Sequence, residues 1–243
     1  QPSPQDEAEF HQAISKSINL SENLIKKNQK DARAFYTLGV AYGLRANYNF
    51  LVRKAYMDSL RDATTARKLH DKVTDLDASN YDARLIQGVH DYVVGSLPWH
   101  IKMLGFLIGF RGDKQEGIRT LEAVAARGDQ NRVDAEILLC AVYRRERMPA
   151  KAAALLEDLI RRFPRNYLLR FELAQMYSDL GDGKRALEVI QKIEELKRSG
   201  EPGYRNLPPE KIFYARGTIQ FWYRELEQAL DNFNRVVSRS DEL

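Results

Sequence analysis

The sequence predicts an all-α fold, a right-handed α-α superhelix in which antiparallel helix hairpins stack along the chain. Two observations carry this prediction. Apolar residues recur at spacings of three and four, as at Leu155, Leu159 and Phe163, and sustained alternation of apolar and polar residues is absent from the sequence. The chain also repeats itself with a period near 34 residues, which is typical of stacked helix–turn–helix units. We therefore expect one solenoid domain over 1–243.

The region 1–31 is expected to form a capping helix ahead of the repeats. Phe10, Ile14, Ile18 and Ile25 fall on one stripe of a helix with 3.6 residues per turn. Such a stripe can cover the exposed apolar end of a solenoid, which would otherwise face water.

Two units with insertions follow, at 32–80 and 81–132. In the first, Leu38, Gly39 and Tyr42 occupy the packing positions of a first helix. The rest of this unit is about fifteen residues longer than the repeat period requires, so both of its helices are expected to be lengthened. The second unit carries an insertion of similar size.

The units at 133–166 and 167–200 match each other closely. Their first helices place a leucine, a small residue and a tyrosine at the same positions, so that Tyr143 and Tyr177 lie 34 residues apart. Small residues let two antiparallel helices approach, and the large ones fill the space between successive hairpins. A degenerate unit at 210–243 ends the array.

This pattern resembles the tetratricopeptide repeat family over most of the chain. The glycine-containing stretch 104–113 is similar, more locally, to the insertion-bearing units of the tetratricopeptide-39 and inclusion-body-clearance family. The resemblance implies a non-enzymatic scaffold that binds a protein or peptide partner, and it is compatible with a homo-oligomer.

In this family the concave face is lined mainly by the first helix of each hairpin, so the resemblance implies which residues bind the partner. Most of them are apolar or aromatic, which suits an apolar or amphipathic peptide segment. The residues at these positions are Tyr36, Val40, Leu85, Val89, Tyr92, Arg144, Phe171, Gln175, Tyr214, Thr218 and Phe221. The Lys and Asn with which chaperone-binding members hold a C-terminal carboxylate are missing, so we expect no binding of an acidic chaperone tail.

The apolar segment 97–112 supports an alternative, a carrier or sensor of an apolar small molecule or lipid. Trp99, Met103, Phe106 and Phe110 would contact that ligand or a membrane, because an apolar patch of this size is seldom left exposed. The same segment could instead fold back and fill the groove as additional core.

The sequence lacks the motifs of catalytic, metal and cofactor sites. Its four histidines are scattered, without the three- or four-residue spacing of helical zinc sites. The single cysteine, Cys140, falls at a small-residue packing position, and the glycines of 105–117 are not followed by the Gly-Lys-Ser/Thr of a phosphate loop. We therefore expect no enzyme activity, no metal and no cofactor.

Composition and charge limit the expected partners and location of the protein. The 38 Lys and Arg residues exceed the 34 Asp and Glu residues only slightly and are interleaved with them, so we expect no nucleic-acid partner. Apolar runs stay well below the ~20 residues that cross a bilayer, so we expect no stable transmembrane insertion. The polar, proline-containing start at Gln1 is typical of a mature exported chain, which favours a periplasmic or extracellular location over a cytoplasmic one.

Overall fold

The described part of the chain consists of α-helices joined by turns and loops. The computed structural model describes residues 3–100, 102–103 and 111–240, which contain no strand. The helices within these ranges are α1 (Pro4–Lys27), α2 (Ala32–Leu51), α3 (Tyr56–Leu76), α4 (Arg84–Gly95), α5 (Lys114–Arg127), α6 (Arg132–Arg145), α7 (Pro149–Arg162), α8 (Tyr167–Asp179), α9 (Gly183–Arg198), α10 (Pro209–Trp222) and α11 (Leu226–Ser240). The all-α helical repeat fold expected from the sequence is confirmed.

Short polar side chains determine where several helices begin. The carboxylate of Asp31 accepts a hydrogen bond of 2.9 Å from the N–H of Ala34 at the start of α2. Asp182 accepts one of 3.0 Å from the N–H of Arg185 at the start of α9. Because the first N–H groups of a helix lack intrahelical partners, each cap contributes about 1 kcal/mol.

The chain divides into two compact units, 1–138 and 139–243, with the boundary inside α6. In the first unit, α2 packs against both α1 and α3, and α4 packs against α3 and α5. Ile14 and Ile18 of α1 form a buried cluster with Leu38 and Ala41 of α2. This cluster attaches the N-terminal helix to the first hairpin.

The hairpin α2–α3 is unusually long. Its helices have 20 and 21 residues, whereas α8 and α9 have 13 and 16. A partly buried ion pair joins them, since Arg45 donates hydrogen bonds of 2.8 and 2.7 Å to the two carboxylate oxygens of Asp62. Asn49 donates a third, of 3.0 Å, to the same carboxylate. In the next hairpin the extra residues lie instead in the connection between α4 and α5, whose helices have only 12 and 14 residues.

Glycines bring α4 and α5 together. A Cβ atom on Gly117 would lie 2.7 Å from the carbonyl oxygen of Gly88, a distance that real Cβ atoms do not reach. The two backbones therefore touch at this point, and a larger residue at Gly117 would push the helices apart.

In the second unit, α7 packs against α8, α9 packs against α8 and α10, and α10 packs against α11. The turns repeat with the sequence period. Arg147 and Gly181, 34 positions apart, both adopt left-handed backbone, with φ of 57° and 83°. The N–H groups that follow bond to Tyr143 O at 2.8 Å and Tyr177 O at 2.9 Å. The two hairpins thus turn in the same way.

The loop between α9 and α10 is held by a buried tyrosine. Tyr204 is fully buried, and its hydroxyl donates a hydrogen bond of 2.9 Å to the carbonyl of Pro164. The same oxygen accepts one of 2.8 Å from Nε of Arg170. These bonds fix the loop that precedes α10, and thereby the start of α10.

Candidate functional site

A groove in the second unit lies along α8 and α10 and reaches the end of α6. It encloses about 250 Å³. The two helices contact each other only locally, while α9 packs against both of them. The groove is lined by Arg144, Phe171, Glu172, Ala174, Gln175, Lys211, Tyr214, Ala215, Thr218 and Ile219.

The floor of the groove is closed and its aromatic residues are accessible. Ala174 and Ile219 are buried, so their atoms fill the space beneath the lining. Tyr214 is 61% exposed, although its ring lies 6.2 Å from that of Phe233 on α11. Phe171 is half-buried and meets Tyr167 edge-on, with ring centroids 6.1 Å apart. The groove therefore offers aromatic surface beside buried apolar side chains.

Charged groups stand at the rim. Arg144 donates a hydrogen bond of 2.9 Å to the carboxylate of Glu172, and this pair joins α6 to α8. The ammonium group of Lys211 lies 5.8 Å from the ring centroid of Tyr167 and forms no ion pair with a described residue. A ligand would thus meet one neutralised pair and one cation.

The polar side chains in the lining are engaged within their own helices. Gln175 donates a hydrogen bond of 2.7 Å to Asp179, one turn later on α8. The Thr218 hydroxyl donates one of 2.8 Å to the carbonyl of Tyr214. These residues can accept further hydrogen bonds, but the aromatic surface is the larger feature.

Five of the binding residues expected from the sequence line this groove: Arg144, Phe171, Gln175, Tyr214 and Thr218. Phe221, also expected there, lies near the end of α10 and is absent from the lining. It is 52% exposed and contacts Trp222 edge-on at 5.8 Å.

The expected residues of the first unit have a different environment. Tyr36 and Val40 on α2 are half-buried, as are Leu85 and Val89 on α4. The Tyr36 hydroxyl accepts a hydrogen bond of 2.9 Å from Asn131, and burial raises the pKa of its phenol.

Tyr92 departs most from the expected role. It is only 6% exposed, so its ring packs inside the first unit and offers almost no surface to a partner. The repeat period places this residue on the first helix of its hairpin, but the period does not reveal which neighbours cover it.

The alternative ligand segment is described only in part. Trp99 is 75% exposed and Met103 is 58% exposed. Phe106 and Phe110 lie outside the described residues.

Sequence reasoning missed several residues of the groove. Lys211 lies one turn before Tyr214 on α10, and Glu172 is the next residue after Phe171 on α8. The spacing of three residues from Tyr214 was the available signal for Lys211, because residues three and four apart share a helix face.

Two kinds of feature are absent from the described ranges. No three His, Cys, Asp or Glu side chains there come together in a way that could hold a metal ion. Of the helices described, none has the length and apolar character needed to cross a membrane.

Comparison with known proteins agrees with this fold. Residues 143–207 match the family model of the tetratricopeptide repeat. No curated protein sequence matches the chain. Among solved structures, the chain is similar to YrrB, described as a TPR protein with an unusual peptide-binding site, with 17% identity, a TM-score of 0.57 and coverage of 90% of this chain and 91% of YrrB.

Two structures of MamA are also similar. One has 19% identity and a TM-score of 0.52, covering 80% of this chain and 88% of MamA. The other has 20% identity and a TM-score of 0.55, covering 83% and 99%. At such identities the likeness concerns the fold. Residues 143–207 thus match the tetratricopeptide repeat model, and the fold of the chain is similar to that of solved tetratricopeptide repeat structures.

Proposed function

We propose that this protein is a non-enzymatic scaffold that binds a peptide segment of a partner protein in the groove along α8 and α10. Tetratricopeptide repeats serve protein–protein interaction in general. The observation that carries the proposal is the exposed ring of Tyr214, 61% accessible, above a floor of buried Ala174 and Ile219.

An apolar side chain of the peptide would lie between Phe171 and Tyr214. Burying a leucine- or phenylalanine-sized side chain contributes about 1.5 to 3 kcal/mol. Anchors of this kind supply most of the binding energy at protein interfaces, while the surrounding polar groups fix the register. The groove matches that division, with its aromatic centre and charged rim.

The rim favours a peptide with an acidic residue beside its apolar anchor. Lys211 has no ionic partner among the residues that the structure describes, whereas Arg144 is neutralised by Glu172. The likeness of the fold to YrrB, described as having a peptide-binding site, supports a peptide as the class of ligand.

The test is a screen of the full chain against an array of short synthetic peptides, followed by fluorescence polarisation with the tightest binder. Phe171→Ala with Tyr214→Ala should weaken that peptide about tenfold or more. Leu180→Ala is the matched control, because this leucine is the C-cap residue of α8, is 45% exposed and does not line the groove. Equal affinity of the groove variant and wild type would refute the site.

A second candidate function is favoured by the exposure of Trp99 and Met103, which are 75% and 58% accessible. Contiguous exposed apolar patches often mark a site where a ligand or partner binds. In this function the chain carries an apolar small molecule or lipid at 97–112. Native mass spectrometry of gently purified protein, with solvent extraction, would detect such a ligand as excess mass.

A further inference from the structure

The turn between α2 and α3 exposes a cluster of large apolar side chains. Phe50 is 52% exposed, Leu51 62%, Tyr56 59% and Met57 64%. We call residues 50–57 the α2–α3 tip. Phe50 and Tyr56 contact each other edge-on, with ring centroids 5.5 Å apart, so these side chains form one patch.

The tip extends beyond the neighbouring helix α4. Two contacts set the register of α3 and α4: Gln87 to Asp71 at 2.7 Å and Arg67 to Asp91 at 3.2 Å. From Asp91, α4 continues for only four residues, whereas α3 runs ten residues from Arg67 to Met57. At 1.5 Å per residue, the tip lies about 9 Å beyond the end of α4.

A cationic pocket lies beside the tip. It encloses about 320 Å³ and is lined by His11, Arg45, Asn49, Arg53, Asp58, Arg61 and Asp62. Its lining has three arginines and two aspartates, an excess of one positive charge, and Glu7 on α1 lies 3.7 Å from the lining residue His11. Lys54, within the tip, adds another positive charge.

Two of these arginines can reach a ligand. Arg45 is committed to Asp62, but among the described side chains Arg53 bonds to the neutral side chain of Asn49, at 2.9 Å, and to no carboxylate. Arg61 lies 3.7 Å from Asp58, and its side chain is 77% exposed. Its pairing is thus loose and screened by water, which leaves its charge available to an anion.

We infer that the α2–α3 tip docks onto the surface of an anionic phospholipid bilayer. The apolar side chains would enter the interface between headgroups and acyl chains, while Arg53, Lys54 and Arg61 face the lipid phosphates. Apolar residues flanked by cations on one surface element bind anionic membranes by this combination. The projecting tip suits a lipid surface, whereas a peptide is better held in a groove such as that of α8 and α10.

This inference does not depend on the peptide groove, because the two sites share no residue. It also uses a segment other than 97–112. Loss of one site by mutation should therefore leave the other intact.

The test is co-sedimentation of the full chain with vesicles of phosphatidylcholine alone or mixed with phosphatidylglycerol. We expect binding to the mixed vesicles only, decreasing as salt is raised. Leu51→Ser with Met57→Ser should lower the vesicle affinity about tenfold or more. Arg53→Gln with Lys54→Gln should lower it about tenfold and reduce its salt dependence.

Leu168→Ser and Leu230→Ser are matched controls, because these leucines are 55% and 61% exposed in the second unit and should not affect vesicle binding. All of these substitutions are at exposed positions, and circular dichroism would verify that each variant is folded. Trp99→Ser tests the neighbouring apolar segment and should leave most of the binding in place.

Several results would overturn the inference. These are equal binding to neutral vesicles, unchanged binding of the tip variants, or loss of binding in Trp99→Ser alone. Binding of inorganic phosphate without binding of vesicles would make the pocket a simple anion site. Dimerisation that depends on the tip, measured by sedimentation velocity without vesicle binding, would make it a contact between copies of the chain.

Discussion

The imidazole of His70 occupies the space that a side chain at Gly39 would need. A Cβ atom on Gly39 would lie 2.6 Å from Nε2 of His70. His70 is on α3 and is almost fully buried, and the ring of Tyr36 packs edge-on against it at 5.2 Å. The glycine on α2 and the histidine on α3 are therefore complementary, and together they set how closely this hairpin packs.

Replacing Gly39 should destabilise the first unit. Gly39→Leu is expected to lower the free energy of unfolding by about 1 to 3 kcal/mol, because the larger side chain must displace His70. The helix propensity gained, about 1 kcal/mol, offsets only part of this cost. Urea denaturation measures the difference.

Gly43→Ala, one turn later on α2, is the control for Gly39→Leu. A Cβ there would lie 3.5 Å from Ile86, an ordinary contact, so the substitution should be neutral or stabilising. If Gly39→Leu is as stable as wild type, His70 does not limit the space available at Gly39.

His70 should make the stability depend on pH. Burial lowers the pKa of its imidazole to about 4. Neither ring nitrogen has a hydrogen-bond partner of good geometry among the described residues, and the nearby Ala83 backbone and Asp71 offset the effect of burial only in part. The unfolded chain takes up the proton near pH 6.5 and the folded chain only near pH 4. Stability from this group is therefore complete above about pH 6.5 and is lost as the pH falls to about 4, a change of about 3 kcal/mol.

Urea denaturation of wild type and His70→Leu at pH 7 and at pH 4.5 would isolate this effect. Burial also lowers the pKa of His90, so wild type contains a second group that acts in the same direction. The informative quantity is the difference between wild type and variant, which should shrink or change sign at the lower pH. A difference that stays constant would exclude a buried neutral His70.

Replacing Arg147 with glycine, the residue at the equivalent position of the next repeat, should stabilise the second unit. It holds a left-handed backbone conformation, with φ of 57°, at the turn position where the following repeat has Gly181. This conformation costs a non-glycine residue about 1 to 2 kcal/mol, while glycine loses about 0.5 to 1 kcal/mol more entropy on folding. Arg147→Gly should therefore stabilise the second unit by up to about 1 kcal/mol, measured as a higher melting temperature.

Ala150→Gly is the control for the effect of the left-handed backbone at Arg147. Ala150 is exposed and lies in the first turn of α7, where the cost of glycine is smaller than in a helix interior, so the same new residue three positions later should destabilise by less than about 1 kcal/mol. Opposite signs for the two substitutions support the strained turn. A decrease in stability for both would mean that Arg147 contributes through its side chain.

The helical architecture was predictable because close packing requires small residues at fixed spacing. Tyr143 and Tyr177 carry the 34-residue period, and their hairpins turn in the same way. The groove residues Phe171 and Tyr214 were found because this part of the chain keeps the period. Sequence position then determines which side chains share a face.

What sequence reasoning missed depends on distant neighbours. Tyr92 follows the period but is buried. Tyr204 lies in a loop with turn-forming residues, yet its hydroxyl binds Pro164 and Arg170, more than 30 residues earlier. A period identifies the face of a helix, and only the packed structure identifies what lies against that face.

The charge of Lys211 should determine which peptides the groove prefers. Its ammonium group is at the rim beside Tyr167 and lacks an ionic partner among the described residues, so an acidic peptide residue can approach it. Exposed ion pairs contribute only about 0.2 to 1 kcal/mol, and reversing a rim charge replaces such an attraction with a repulsion. Lys211→Glu should therefore weaken a peptide with an acidic residue beside its apolar anchor about three- to tenfold, and should strengthen the same peptide with lysine at that position. Fluorescence polarisation with the two peptides measures this switch.

Lys184→Glu is the control, since Lys184 is an exposed residue of α9 outside the groove and its reversal should change both affinities little. If both reversals have equal effects, the preference arises from the net charge of the chain and not from the groove.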